Sequence, residues 1–253
     1  MKLARMPDGE PEIFFTVQGE GRNVGLPGVF VRSSLCNLHC RWCDTDYTWN
    51  WEGTPFVHVR DEEPGYRKYR RDEQIIDLPV ESVAERARQF DCGNFVFTGG
   101  EPLLHEADWM ALMERLREET GESAAHFEIE TNGTRMPGAK FLEAIDQMNV
   151  SPKLSNAGMP RSLRIHEETL RELAASGKAD FKFVISEPSD LEEAVEIVEL
   201  SGSAPERVFL MPQGTSIRQL DERGAWLVSQ CQAYGFRYSD RLHVRLFGSR
   251  RGV

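Results

Sequence analysis

From Pro79 onward the chain alternates short apolar runs with amphipathic ones, and this alternation narrows the folds open to it. Asn94–Thr98, Ala125–Thr131, Ala179–Ile185 and Arg207–Met211 are short, rich in aromatic and β-branched residues, and read as strands. Val80–Phe90, Ala107–Thr120, Lys140–Met148, Glu167–Ser176, Leu191–Leu200 and Gly224–Tyr234 carry helical spacing. Asn149–Lys153 reads as a short strand end and Arg241–Phe247 as the last strand. Before Pro79, Glu12–Val17 and Gly28–Ser33 read as strands around a turn holding Gly19, Gly21 and Gly25. The total is about seven β elements and about six helices. Strands joined through helices pair in parallel with right-handed crossovers. The expected fold is therefore α/β, a partial, incomplete TIM-type barrel of parallel βα units. Residues 1–253 read as one domain with an irregular insertion near 46–78. That stretch is rich in Trp, Tyr, Arg, Asp and Pro without periodicity, which suits a lid or a partner surface.

Chemistry-bearing residues cluster at the ends of these strands. Thr98-Gly99-Gly100-Glu101, Glu130-Thr131-Asn132-Gly133, Ser151-Pro152-Lys153 and Met211-Pro212-Gln213-Gly214 all follow strand-like runs. In barrel enzymes that is the face on which sites are built. Glu101 offers a carboxylate to an ammonium group, or simply closes a βα turn at a helix start. Upstream lies Cys36-Asn37-Leu38-His39-Cys40-Arg41-Trp42-Cys43. Three thiolates so close can hold three irons of a [4Fe–4S] cluster and leave the fourth open, since a closed set takes four. Structural zinc is the alternative, but it favours four ligands in two separated pairs. The remaining cysteines, Cys92 and Cys231, form no second pair. Five cysteines, an odd number in a chain of 253 residues, argue against a disulfide framework.

Charge narrows the partners. The formal net charge is −11, which argues against nucleic acid, whose phosphates need clustered Lys and Arg. The basic spots at residues 67–71 and 245–251 read as solvated faces or anion contacts. No stretch approaches the roughly 18 apolar residues of a membrane span, and the N-terminus lacks the apolar stretch of a signal peptide. The expected location is the cytoplasm, whose reducing conditions suit free thiolates.

The C-x3-C-x2-C run with Trp42 before its third cysteine, together with Gly99-Gly100-Glu101-Pro102 after a strand, resembles the radical S-adenosylmethionine (SAM) superfamily. Val17-Gln18-Gly19-Glu20-Gly21, Cys43-Asp44-Thr45, Phe97–Pro102, Glu130–Thr134 and Ser151-Pro152-Lys153 are similar to the 7-carboxy-7-deazaguanine synthases within it. The resemblance is good over residues 10–155 and looser beyond. It implies a lyase that converts 6-carboxy-5,6,7,8-tetrahydropterin to 7-carboxy-7-deazaguanine with loss of ammonia, in 7-deazapurine (queuosine-type) biosynthesis. It implies a [4Fe–4S] cluster on Cys36, Cys40 and Cys43. Trp42, Cys43, Asp44, Gly100, Glu101, Ser151, Pro152, Lys153 and Gln213 would line the SAM site. Val17, Gln18, Gly19, Glu20, Arg32, Thr98 and Val253 would hold the substrate, and Thr45 would bind magnesium. The chemistry implied is one-electron cleavage of SAM, hydrogen abstraction at C6 by a 5′-deoxyadenosyl radical, ring contraction and ammonia loss. A flavodoxin or ferredoxin would supply the electron, and a homodimer is implied. Arg32 has independent physical sense, because its planar fork suits the substrate carboxylate.

The sequence departs from the family pattern at residues 46–78 and at its end. Many members finish in a Thr-His-Lys-like stretch with a terminal carboxylate at the substrate. Here Val253 offers a carboxylate, and His243 is the histidine available to substitute. Two other readings compete. One is a radical SAM activase that installs a glycyl radical on a partner protein. The other is a non-catalytic metal-binding scaffold.

Overall fold

The computed structural model describes residues 1–120 and 125–253. Its strands are β1 (Lys2–Ala4), β2 (Ile13–Val17), β3 (Pro27–Ser33), β4 (Ile75–Asp77), β5 (Asn94–Gly99), β6 (His126–Thr131), β7 (Gln147–Val150), β8 (Ala179–Ile185), β9 (Val208–Pro212) and β10 (Arg237–Tyr238). They form one sheet in the order β10-β9-β8-β7-β6-β5-β3-β1-β4, with β2 also on β3. Every ladder from β3 through β10 is parallel. β1, β2 and β4 add antiparallel pairings at one margin. The sheet does not close, so the barrel is partial, as the alternation of elements implies.

The helices are α1 (Arg71–Gln74), α2 (Val80–Ala87), α3 (Glu106–Thr120), α4 (Ala139–Ala144), α5 (Arg161–Arg164), α6 (Glu167–Ala175), α7 (Pro188–Ser201), α8 (Ile217–Tyr234) and α9 (Leu242–Phe247). Each parallel crossover from β5 to β10 carries at least one of them. Phe95, Phe97, Phe127, Ile129, Phe181 and Phe183 share one buried cluster with Trp109, Leu112, Leu116, Leu170, Ile197 and Leu227 of the helices. Each such side chain stabilises the fold by about 1.5–3 kcal/mol through area removed from water. Side chains alternate faces along a strand. Thr98, Glu128, Glu130, Asn149, Asp180 and Lys182 therefore face the opposite, concave side. The register aligns them across strands, with Glu130 opposite Asn149 and Asn149 opposite Asp180.

Several elements differ from the sequence-based expectation, three of them with a clear physical cause. Lys140–Met148, expected as one helix, splits into α4 and β7. Phe141, Ile145 and Met148 keep a helical spacing, but the segment after Ala144 is paired by β6 and β8 on both sides, and pairing overrides so short a period. Arg241–Phe247, expected as the last strand, is α9 preceded by a loop. Its Leu242, Val244, Leu246 alternation mimics a strand, yet Leu246 is 56% exposed and β9's free edge is taken by Arg237–Tyr238. Inside the stretch expected to be irregular, β4 pairs with β1 in register Leu3 to Ile76.

The glycine-bearing loop between β2 and β3 forms a polar floor to the concave side. Gln18 Nε2 donates to Glu128 Oε1 at 2.5 Å, and Asn23 Nδ2 to Glu128 Oε2 at 2.7 Å. Asn149 donates to Glu128 as well. Arg22 grips Asp180 through both ends of its fork. Burial, and then the neighbouring Glu130, push the Glu128 carboxyl up, while these amide donors oppose the shift.

Candidate active site

Above this floor, at the C-terminal ends of the parallel strands, lies a cavity with about 230 Å³ open to the centres of water-sized molecules. One water needs roughly 10–15 Å³ on that measure, so this is a chamber and not a packing defect. Cys36, Cys40, Trp42, Cys43, Asp44 and Thr45 form one wall. Gly100, Ser151, Lys153 and Gln213 come from the ends of β5, β7 and β9. Val17, Gln18, Gly19, Glu20, Arg32, Thr98 and Val253 line the same space. Glu101 and Pro152 are not among the lining residues.

The cysteine loop is seated by what Gly99 and Gly100 lack. A Cβ on Gly100 would stand 2.2 Å from the Leu35 carbonyl oxygen and 2.9 Å from Cys36 Cβ. One on Gly99 would stand 2.3 Å from Ser33 Oγ. The space a side chain would take there is filled by the protein's own chain. The loop adds a small apolar cluster of Leu38, Cys40 and Ala157, backed by Trp42 and Met159. His58 Nε2 lies 2.9 Å from the Cys43 carbonyl, and His39 stacks on Phe56 at 3.3 Å, so the 46–78 segment packs directly on the loop.

The three thiols suit an iron–sulfur cluster. Burial pushes the Cys40 thiol up to about 12 and raises Cys36 and Cys43; neighbouring thiols add to the rise at Cys36 and Cys40, and Asp44 to that at Cys43. Protons that a buried pocket holds this firmly leave when metal takes the sulfurs. Among the described residues no three Cys, His, Asp or Glu side chains are arranged for a single metal ion. A cubane makes no such demand, because each thiolate takes its own iron.

Glu101 is fully buried beneath the wall. Its Oε1 accepts from Leu103 N at 3.0 Å and Thr131 Oγ1 at 2.7 Å, and its Oε2 from Asn132 N at 2.7 Å. Burial raises its carboxyl and these donors counter the rise. The side chain thus pins the Asn132 turn and the start of the segment after β5. Lys153 donates to Ser151 Oγ at 3.0 Å and stands 5.7 Å over the Trp42 ring, whose Nε1 donates to Asn156 Oδ1.

At the other end a charged network surrounds Glu20. Lys182 pairs with its Oε2, and Arg241 Nε donates to its Oε1 at 3.0 Å. Burial alone would raise the Glu20 carboxyl, but the Lys182 and Arg241 cations hold it far below the usual carboxylate range. Arg241 also pairs with Asp44 and donates to the Gly214 carbonyl at 2.6 Å. One side chain therefore joins the cysteine loop, the β9 end and Glu20. His243 fills the space where a Gly19 side chain would be, 2.2 Å from that Cβ position. Burial lowers its pKa, against the pull of Glu20. Lys182, Glu130, Asn149 and Arg241 line the cavity without having been assigned from sequence. The signal for three of them was present: a polar residue at every second place of an otherwise apolar strand, as in Phe127-Glu-Ile-Glu130 and Phe181-Lys-Phe183.

Residues 30–157 match the family model of the radical SAM superfamily. The chain is 35% identical to the 7-carboxy-7-deazaguanine synthase of Rhodopirellula baltica, over 96% of this chain and 87% of that one. It is 33% identical to the enzyme of the same name from Pyrobaculum aerophilum, over 95% of each. The fold is similar to that of QueE from Escherichia coli, with a TM-score of 0.65 and 24% identity over 96% of this chain and 95% of that one.

Proposed function

Because the chain belongs to the 7-carboxy-7-deazaguanine synthase family of the radical SAM superfamily, we propose that it converts 6-carboxy-5,6,7,8-tetrahydropterin to 7-carboxy-7-deazaguanine with release of ammonia. The observation that carries this reading is that the cysteine loop, the Gly100, Ser151 and Lys153 group, and the Gln18, Glu20 and Arg32 group line one cavity. Radical chemistry needs such continuity, because a radical made on one ligand must meet the next without crossing water.

In this proposal Cys36, Cys40 and Cys43 hold a [4Fe–4S] cluster. Trp42, Asp44, Gly100, Ser151, Lys153 and Gln213 hold SAM. Pro152 and Glu101 act from beneath, Glu101 by fixing the Asn132 turn. The cluster and SAM, when bound, supply one-electron radical chemistry. The remaining work belongs to the chain. Arg32 meets the substrate carboxylate with its fork. Gln18 and the ionised Glu20 read the donor and acceptor edge of the pterin, Glu20 as an acceptor kept charged by Lys182 and Arg241. Val17, Gly19, Thr98 and Val253, which line the same cavity, pack around the substrate. Thr45 gives a neutral oxygen to magnesium, a hard cation that keeps water and substrate oxygens as its other ligands. The proposal extends to a homodimer in the cytoplasm that takes its electron from a flavodoxin or ferredoxin.

The test is an anaerobic assay of the iron- and sulfide-reconstituted protein with reductant, SAM, magnesium and 6-carboxytetrahydropterin, with the product followed by mass. Formation of 7-carboxy-7-deazaguanine is expected. SAM cleavage that proceeds without any deazaguanine would overturn the substrate while keeping the superfamily.

A further inference from the structure

Glu12 and Arg251 belong to no motif, yet they meet behind the cavity wall. Glu12 is 1% exposed. Its Oε1 accepts from Arg32 Nε at 2.8 Å and from the Tyr47 hydroxyl at 3.0 Å. Its Oε2 accepts from Arg251 at 2.7 Å. The Arg251 guanidinium lies 3.4 Å from the centre of the Tyr47 ring and donates to the Arg5 carbonyl at 2.9 Å. Arg32 itself lines the cavity, with NH1 3.4 Å from Thr98 Oγ1. Two guanidiniums thus share one buried carboxylate, and the group carries one net positive charge. Burial opposes ionisation of Glu12, and the two arginines restore it.

The division of Glu12 decides what Arg32 can do. An arginine facing a free carboxylate takes both oxygens with two parallel bonds. That arrangement would turn the Arg32 fork onto Glu12 and cancel its charge. Here Tyr47 shares Oε1 and Arg251 takes Oε2, and only Nε of Arg32 reaches Glu12. Among the described residues the Arg32 NH2 has no protein partner, and NH1 has only the Thr98 hydroxyl. We propose that Arg251 is a positioning residue for the substrate carboxylate: it occupies half of Glu12, and so keeps the Arg32 fork and one positive charge open to the cavity. The proposal rests on Arg32 receiving that carboxylate.

The experiment is binding calorimetry on the reconstituted, SAM-loaded protein with two probes, 6-carboxytetrahydropterin and tetrahydropterin without the carboxylate. Arg251→Ala and Arg251→Met are compared with the unaltered chain, the methionine keeping apolar cover on Tyr47 should the alanine variant unfold. Loss of a charged hydrogen-bond system predicts about tenfold or more weaker binding of the carboxylated probe. The uncarboxylated probe should change by less than about twofold. Arg251→Lys, which keeps the charge without the fork, should recover part of the loss. Equal weakening of both probes, as a merely structural role would give, overturns the proposal, and so does no change in either. If the unaltered chain binds neither pterin, the substrate reading falls and this inference falls with it.

Discussion

Glu20 shows how a single carboxylate is prepared for its task. It is almost enclosed, and it stays ionised because Lys182 and Arg241 are enclosed with it. Its pKa is depressed in the folded chain, so its contribution to stability is complete above the ordinary Glu range near about 4.3. That contribution drains away as pH falls through the lower folded value. Lys182→Met leaves a buried carboxylate with Arg241 as its main cation and should cost about 3 kcal/mol. The Glu20 pKa then rises, and the acid limb of the kcat/KM profile should move to higher pH. An unmoved limb would mean that Glu20 does not read the substrate in its ionised form. Lys182 and Arg241 were not assigned from the sequence because their meaning lies in a partner 162 and 221 residues away. Cys36, Cys40 and Cys43 could be singled out as one group from sequence because they stand in a single contiguous motif, and they line one cavity.

At the scale of elements, the parallel strands from β5 to β9 carry the scaffold, and the loops at their C-terminal ends carry the chemistry. Four of those strands could be read directly, because apolar residues on the helix side and a bounding Gly, Pro or Asn mark them. The weak elements could not. α9 has a strand-like alternation, and β1 and β4 are three residues each, too short to show a period. The cysteine loop depends on an element it does not belong to. Gly100→Ala would drive a methyl group into the Leu35 carbonyl, and overpacking of this kind costs about 1–3 kcal/mol. The variant should fold, lose much of its iron and sulfide per chain after reconstitution, and bind SAM weakly. Full iron loading would show that the loop can move aside.

For the molecule as a whole, stability should grade outward from the middle of the sheet. β5 through β8 are paired on both edges and covered by apolar helix faces. The 46–70 segment carries no ladder of the main sheet; polar links within it, among them Asp46 to Arg60, Asn50 and Tyr66, and ring contacts of Trp49 and Phe56 with His39 hold it. Amide hydrogen exchange should be slowest in β5–β8, through global unfolding, and faster across 46–70 through local opening. Uniform protection across both would contradict this grading.

The cavity wall takes residues from Phe14 to Val253, and that spread bears on how the protein is made. A ribosome delivers the chain from its N-terminus at roughly 5–20 residues per second. The three cysteines therefore emerge many seconds before Met211 and Arg241, which line the same cavity. Iron or oxygen arriving in that interval would meet bare thiols on an unfinished sheet. Maturation should accordingly follow release from the ribosome, with the cluster delivered to a nearly complete chamber and not to a nascent loop.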